Sequence, residues 1–121
     1  MNKIVEICKT IRVNLVSYES DLVKQLEDKL LNSGFEFKKE FRLGRGCRVD
    51  FFLSNGIVIE VKKGKPNCTL VKKQIQKYLQ DDRVKGLILV TERGLMHQIH
   101  ESNGKPVKYV AMSKNWGIAL W

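Results

Sequence analysis

Three polar residues interrupt apolar runs, and their side chains are those of a cation site. Asp50 breaks the run Val49–Leu53, and Glu60 and Lys62 sit in Ile57-Val58-Ile59-Glu60-Val61-Lys62. Period two puts Ile57, Ile59 and Val61 on one strand face and Val58, Glu60 and Lys62 on the other. An ordinary solvent-exposed strand face satisfies the same alternation. Between the runs lies Ser54-Asn55-Gly56, a hairpin turn. Its register decides whether the acids meet. A strict two-residue loop at Asn55-Gly56 pairs Asp50 with Val61 and sends Asp50 and Glu60 to opposite faces. A three-residue loop with a left-handed Gly56 pairs Asp50 with Glu60. Two carboxylates converging in this way are costly unless a cation sits between them, and hard oxygen ligands beside an ammonium fit Mg²⁺ or Mn²⁺.

The elements that must carry these residues follow from periodicity. Leu22, Val23, Leu26, Leu30 and Leu31 predict a helix from about Tyr18 to Asn32, N-capped by Ser17 and stopped at Gly34. Glu19 points along its apolar stripe at the open end, where the macrodipole alone would also favour an acid, and Glu27 lies at the stripe's margin. Phe35, Phe37 and Phe41 alternate with charged residues as in a half-buried strand. Leu70, Val71, Ile75, Tyr78 and Leu79 predict a second helix ending near Asp81-Asp82, with Gln74 and Tyr78 spaced i, i+4. Tyr78 also suits plain core packing with its hydroxyl at the rim. Gly86–Thr91 is a continuous apolar run, the pattern of a strand covered on both faces, so the second helix reads as a crossover between buried strands. Asn103-Gly104 predicts a turn before a strand over Val107–Met112. The first sixteen residues are ambiguous between helix and strand, and Trp116–Trp121 are expected to tuck against the core.

Composition sets the class. The 121 residues carry 22 Lys plus Arg against 13 Asp plus Glu, a formal charge of +9, with 43% hydrophobic residues. That suits one domain over residues 1–121, with enough apolar content for a core. No apolar run is long enough to span a membrane, and Met1–Glu6 lacks the features of a secretory signal, so a soluble cytoplasmic protein with no membrane partner is expected. Cys8, Cys47 and Cys68 have the wrong number and spacing for a disulfide framework or a cysteine metal site. His97 and His100 lack a third ligand nearby in sequence. The basic residues concentrate in two clusters, Lys38, Lys39, Arg42, Arg45 and Arg48 before Asp50, and Lys62, Lys63, Lys65, Lys72, Lys73 and Lys77 after Glu60. Charge focused around one strand pair suits a surface that tracks phosphates.

Glu19, Gly46-Cys47-Arg48-Val49-Asp50, Glu60-Val61-Lys62 and Gln74-Ile75-Gln76-Lys77-Tyr78 together resemble the four ordered motifs of the PD-(D/E)XK nuclease superfamily, in its RecB-type branch with the Q-x-x-x-Y motif. The resemblance spans roughly residues 17 to 91, and the chain is also similar to small stand-alone nuclease-like proteins of phages and prophages, which would place it in a host cell. It implies a single restriction-endonuclease-like α/β domain, a mixed central β-sheet flanked by helices, and a Mg²⁺-dependent (or Mn²⁺-dependent) deoxyribonuclease that hydrolyses phosphodiesters. By position, Asp50, Glu60 and the Val61 carbonyl would ligate the metal, Glu19 would hold the metal or its water, and Lys62 would orient or deprotonate the attacking water. Gln74 and Tyr78 would steady Lys62 and the scissile phosphate. Lys39, Arg42, Arg45, Arg48, Lys63, Lys65, Lys72, Lys73 and Lys77 would contact DNA. So small a chain leaves room for a homodimer or a place in a larger replication or recombination complex. A nucleic-acid-binding module with this fold and no turnover, or a plain interaction domain, are the competing classes.

Overall fold

The computed structural model describes residues 1–11, 19–44, 46–64, 67–92 and 98–111. Of the ambiguous first sixteen residues, Asn2–Cys8 form a helix, α1, and 12–16 lie outside the described residues; the long periodic segment is α2 (Glu19–Asn32). Leu22, Leu26 and Leu30 of α2 are fully buried, each contributing about 1.5–3 kcal/mol by leaving water. The helix ends where glycine allows it. Gly34 takes φ 81°, its N–H donates to the Leu31 carbonyl at 3.1 Å, and the Phe35 N–H donates to the Leu30 carbonyl at 3.1 Å. Ser17 and Tyr18, the expected start of this helix, lie outside the described residues, as do Met112 and the Trp116–Trp121 segment.

Three antiparallel strands follow, β1 (Phe37–Gly44), β2 (Cys47–Leu53) and β3 (Ile57–Lys62). Helix α3 (Cys68–Tyr78) then leads to β4 (Gly86–Thr91), which pairs parallel to β3 from Ile57↔Gly86 to Lys62↔Thr91. The Asn67 side chain caps α3 by accepting from the Leu70 N–H at 3.1 Å. A short strand β5 (Glu101–Ser102) turns through Asn103-Gly104 into β6 (Lys105–Ala111), giving one mixed six-stranded sheet in the order β1-β2-β3-β4-β6-β5. Every residue of β4 is buried, as its unbroken apolar run requires. Helices cover both faces. Ile57, Ile59 and Val61 pack with α1 and α2, while Val58, Leu87 and Leu89 pack with Val71, Ile75 and Tyr78 of α3. No helix among the described residues is long and apolar enough to cross a membrane.

The β1–β2 ribbon departs from simple alternation. Phe37, Phe51 and Leu53 belong to the core under α1 and α2, yet Phe41, Cys47 and Val49, of the same parity, pack on the α3 side. The ladder passes from Lys39↔Phe51 to Phe41↔Val49, and between them Glu40 takes a left-handed φ of 48°. The apolar side of the ribbon turns over at this point, at Glu40 on β1 and at Asp50 opposite it on β2.

The β2–β3 register is that of the three-residue loop. Phe51↔Ile59 and Phe52↔Val58 are partners, Gly56 has φ 88°, and its N–H closes the turn on the Leu53 carbonyl at 2.9 Å. Glycine is required here twice over, because a Cβ would also lie 2.5 Å from Lys85 Cγ and 3.0 Å from the Arg83 carbonyl oxygen. Gly56→Val is therefore expected to destabilise the fold by at least about 1–3 kcal/mol, read as a lowered denaturant midpoint. Gly34→Ala, at a similar φ but in open space, should cost less.

A second clamp holds the end of β1. Arg83 donates to the Leu43 carbonyl at 2.6 Å and pairs with Asp81 at 2.8 Å, and the guanidinium holds the Asp81 carboxyl down at about 2 against an ordinary 3.8. A carboxyl depressed in the folded state stabilises it above the unfolded value, and that contribution fades as pH falls from about 4 toward 2. Asp81→Asn is expected to lower stability at neutral pH and to flatten the acid limb of a urea-midpoint profile in that window.

Candidate active site

Asp50 and Glu60 are brought together by the hairpin register and locked by backbone amides of the facing strands. Continuing the Phe51↔Ile59 pairing by one residue sets Asp50 opposite Glu60. Here side chains take over from the backbone ladder. The Asp50 N–H donates to Glu60 Oε1 at 2.6 Å, and the Val61 N–H donates to Asp50 Oδ2 at 2.8 Å. Each carboxylate is thus aimed by an amide of the neighbouring strand, and Glu60 is only 4% exposed. Lys62, two residues along the same face, places its Nζ 3.8 Å from Glu60 Oε2.

Helix α3 roofs this pair. The Tyr78 hydroxyl donates to the Arg48 carbonyl at 3.0 Å, with the Gln74 side chain beside it. Burial pushes the Tyr78 phenol well above its usual range, and the negative charges of Glu60 and Asp50 push it further. Both carboxylates therefore act on the α3 side of the sheet. Tyr78 holds the β2 backbone two residues before Asp50, so its observed work is to position that strand, and Gln74 lines the cleft beside it. Burial likewise raises the neighbouring Cys47 thiol, with the Lys77 ammonium opposing the shift.

Beside the carboxylates a cleft of about 360 Å³ is lined by Arg42, Gly44, Gly46, Cys47, Arg48, Gln74 and Tyr78. Arg42 and Arg48 are cross-strand partners and both are exposed. Like charges directly opposite destabilise a strand pair, and sequences that break such a local rule tend to do so at a functional site. An anion in the cleft would relieve the repulsion.

The other expected residues divide into three groups. Lys72, Lys73 and Lys77 are exposed along α3. Lys39 pairs instead with Glu27 of α2, on the far face of the sheet, and Lys63 pairs with Glu92 at 3.5 Å. Arg45 and Lys65 lie outside the described residues. So does the side chain of Glu19, whose backbone begins α2. Among the described residues no group of three or more His, Cys, Asp and Glu gathers to hold a metal, so Asp50 and Glu60 stand as a pair. His97 is outside the described residues, and His100 packs edge-on against Tyr109.

One residue of this neighbourhood was not picked out by pattern. Glu92 Oε2 accepts from the Gly64 N–H at 2.7 Å, and its own N–H donates to the Lys62 carbonyl at 3.0 Å. It ties down the chain directly after Lys62. The available signal was its place just past an apolar run, at the carboxyl end of a parallel strand, where open α/β sheets put their sites. Compared with protein-family models, curated proteins and solved structures, the chain gives no match.

Proposed function

We propose that this protein is a divalent-metal-dependent deoxyribonuclease of the PD-(D/E)XK type, with a restriction-endonuclease-like fold. The observation that carries the reading is the reciprocal Asp50–Glu60 arrangement, with Lys62 on the same strand face. Two convergent carboxylates are a hard-oxygen donor set, which fits Mg²⁺ or Mn²⁺. Asp50, Glu60 and the Val61 carbonyl would hold the ion, with Glu19 as a further donor. The ion would supply positive charge for the phosphodiester and a nucleophile at neutral pH.

This chain's own residues do the rest. The Asp50 and Val61 amides fix the two carboxylates, Tyr78 holds β2 under them, and Glu92 anchors the turn after Lys62. The Lys62 ammonium orients the attacking water and sets a positive charge where negative charge develops on the phosphate. Arg42 and Arg48 in the cleft and Lys72, Lys73 and Lys77 on α3 take the neighbouring phosphates. The order of elements also agrees with the resemblance, namely helix, strand, hairpin, helix and parallel strand.

The test is incubation with labelled linear duplex, single strand, nicked circle and four-way junction, with and without Mg²⁺ or Mn²⁺. Metal-dependent cleavage is expected. DNA binding without cleavage under any metal would leave a binding module instead, and neither binding nor cleavage would leave an interaction domain. Binding itself should be steeply salt-dependent. Five exposed cations meeting five phosphates give a slope of log affinity against log salt of about −4 to −5, and a slope near zero would mean the charge serves solubility.

A further inference from the structure

An aromatic pair on the α3 side of the sheet has no part in the chemistry above. Phe41 and Phe52 stack with ring centroids 4.9 Å apart and planes inclined by 30°. They are not strand partners, since Phe52 faces Lys38 and Phe41 faces Val49 across the ribbon. The left-handed Glu40 is what swings Phe41 onto the Phe52 face. Neither ring is fully buried. A hollow of about 410 Å³ opens at the pair, bounded by Glu36, Phe37, Lys38 and Ser54. Lys38 Nζ and Arg83 Cζ each lie 5.4 Å from the Phe41 centroid.

We propose that Phe41 and Phe52 form a stacking platform for one unpaired base of single-stranded DNA, with Lys38 taking the phosphate attached to it. Successive bases stack on aromatic side chains without regard to sequence, and cations beside the rings add both phosphate contact and cation–π attraction. An apolar protein segment seated here would desolvate Lys38 and leave its charge unanswered, whereas Arg83 already has Asp81. A nucleotide covers the rings and neutralises Lys38 in the same step. Glu36 and Ser54 at the rim offer hydrogen-bond acceptors to the edge of the base. The place in the substrate rests on the nuclease reading. Phe52 follows Asp50 by two residues, about 7 Å along β2, so the stacked base belongs to a nucleotide close to the cleaved bond.

The experiment measures equilibrium binding of the full chain to oligo-dT and to a blunt duplex of equal length, in EDTA so that turnover plays no part. Phe41→Leu and Phe52→Leu keep apolar volume and remove the ring. Each should weaken oligo-dT binding about 10-fold or more and change duplex binding less than about 2-fold. Phe35→Leu, which removes a ring sitting under Lys3 on the opposite face of the sheet, should change neither. A 5-iodouracil within the oligonucleotide should photo-crosslink to Phe41 or Phe52 of the unaltered protein, a readout that needs no variant to fold. Unchanged oligo-dT affinity in both leucine variants, equal losses on single strand and duplex, or no crosslink to either ring would each overturn the platform. Cleavage is scored separately. Ring-dependent binding of oligo-dT with no metal-dependent cutting removes the nuclease and keeps the platform, whereas cutting with ring-independent binding does the reverse.

Discussion

Asp50→Asn is expected to reduce single-turnover DNA cleavage on the order of 10³-fold or more while leaving the protein folded. The separation follows from the two jobs of this carboxylate. Its Oδ2 accepts the Val61 N–H at 2.8 Å, and an asparagine carbonyl can accept the same bond. What the amide lacks is the negative charge that a cation needs. Glu60→Gln should behave alike, since its carbonyl can still accept the Asp50 N–H. The alanine variants differ in kind. Asp50→Ala strands the Val61 amide inside the sheet, at a cost of about 1–3 kcal/mol, so it should lose stability as well as activity. Thermal melts beside single-turnover rates distinguish the two patterns. Wild-type cleavage by Asp50→Asn, or equal destabilisation by Asn and Ala, would show that the paired carboxylates only staple the hairpin.

The second large effect separates adjacent lysines that composition treats as equal. Lys62 shares a strand face with Glu60, its Nζ 3.8 Å from the carboxylate, whereas Lys63 faces Glu92. Lys62→Ala removes charge at the reacting centre and should cost ~10² to 10³ in rate with DNA binding nearly unchanged. Lys63→Ala should retain most turnover at saturating DNA and leave the salt slope within about half a unit, because Glu92 already holds that ammonium. Single-turnover cleavage and salt-dependent binding in one buffer decide both points. Full activity in Lys62→Ala would reduce the Glu-x-Lys to an ordinary strand face, and a slope change of a whole unit in Lys63→Ala would make Lys63 a phosphate contact.

Local physics made much of this protein legible before any coordinates. The three-four spacing of leucines determined α2, with Gly34 as its stop, and the unbroken run Gly86–Thr91 marked β4 as a buried strand. These signals survive because each depends on neighbours in sequence: a stripe, a capping residue, a run with no polar break. Ser54-Asn55-Gly56 also carried the hairpin, but two registers remained open there. The tertiary structure decided between them, since Gly56 is packed under Arg83 and Lys85 of the segment between α3 and β4 and fits only with a left-handed φ. The same holds wherever a partner comes from a distant segment. Nothing in sequence tells that Glu40 inverts the ribbon, that Lys39 turns away to Glu27, or that Glu92 closes on Gly64. Strand alternation is a rule for a regular backbone, and a break in the ladder such as the one at Glu40 and Asp50 reverses the faces of everything beyond it. Charge counting has a similar limit, because an ammonium that the fold draws to a carboxylate away from the site, as Lys39 to Glu27, is not available to a phosphate there.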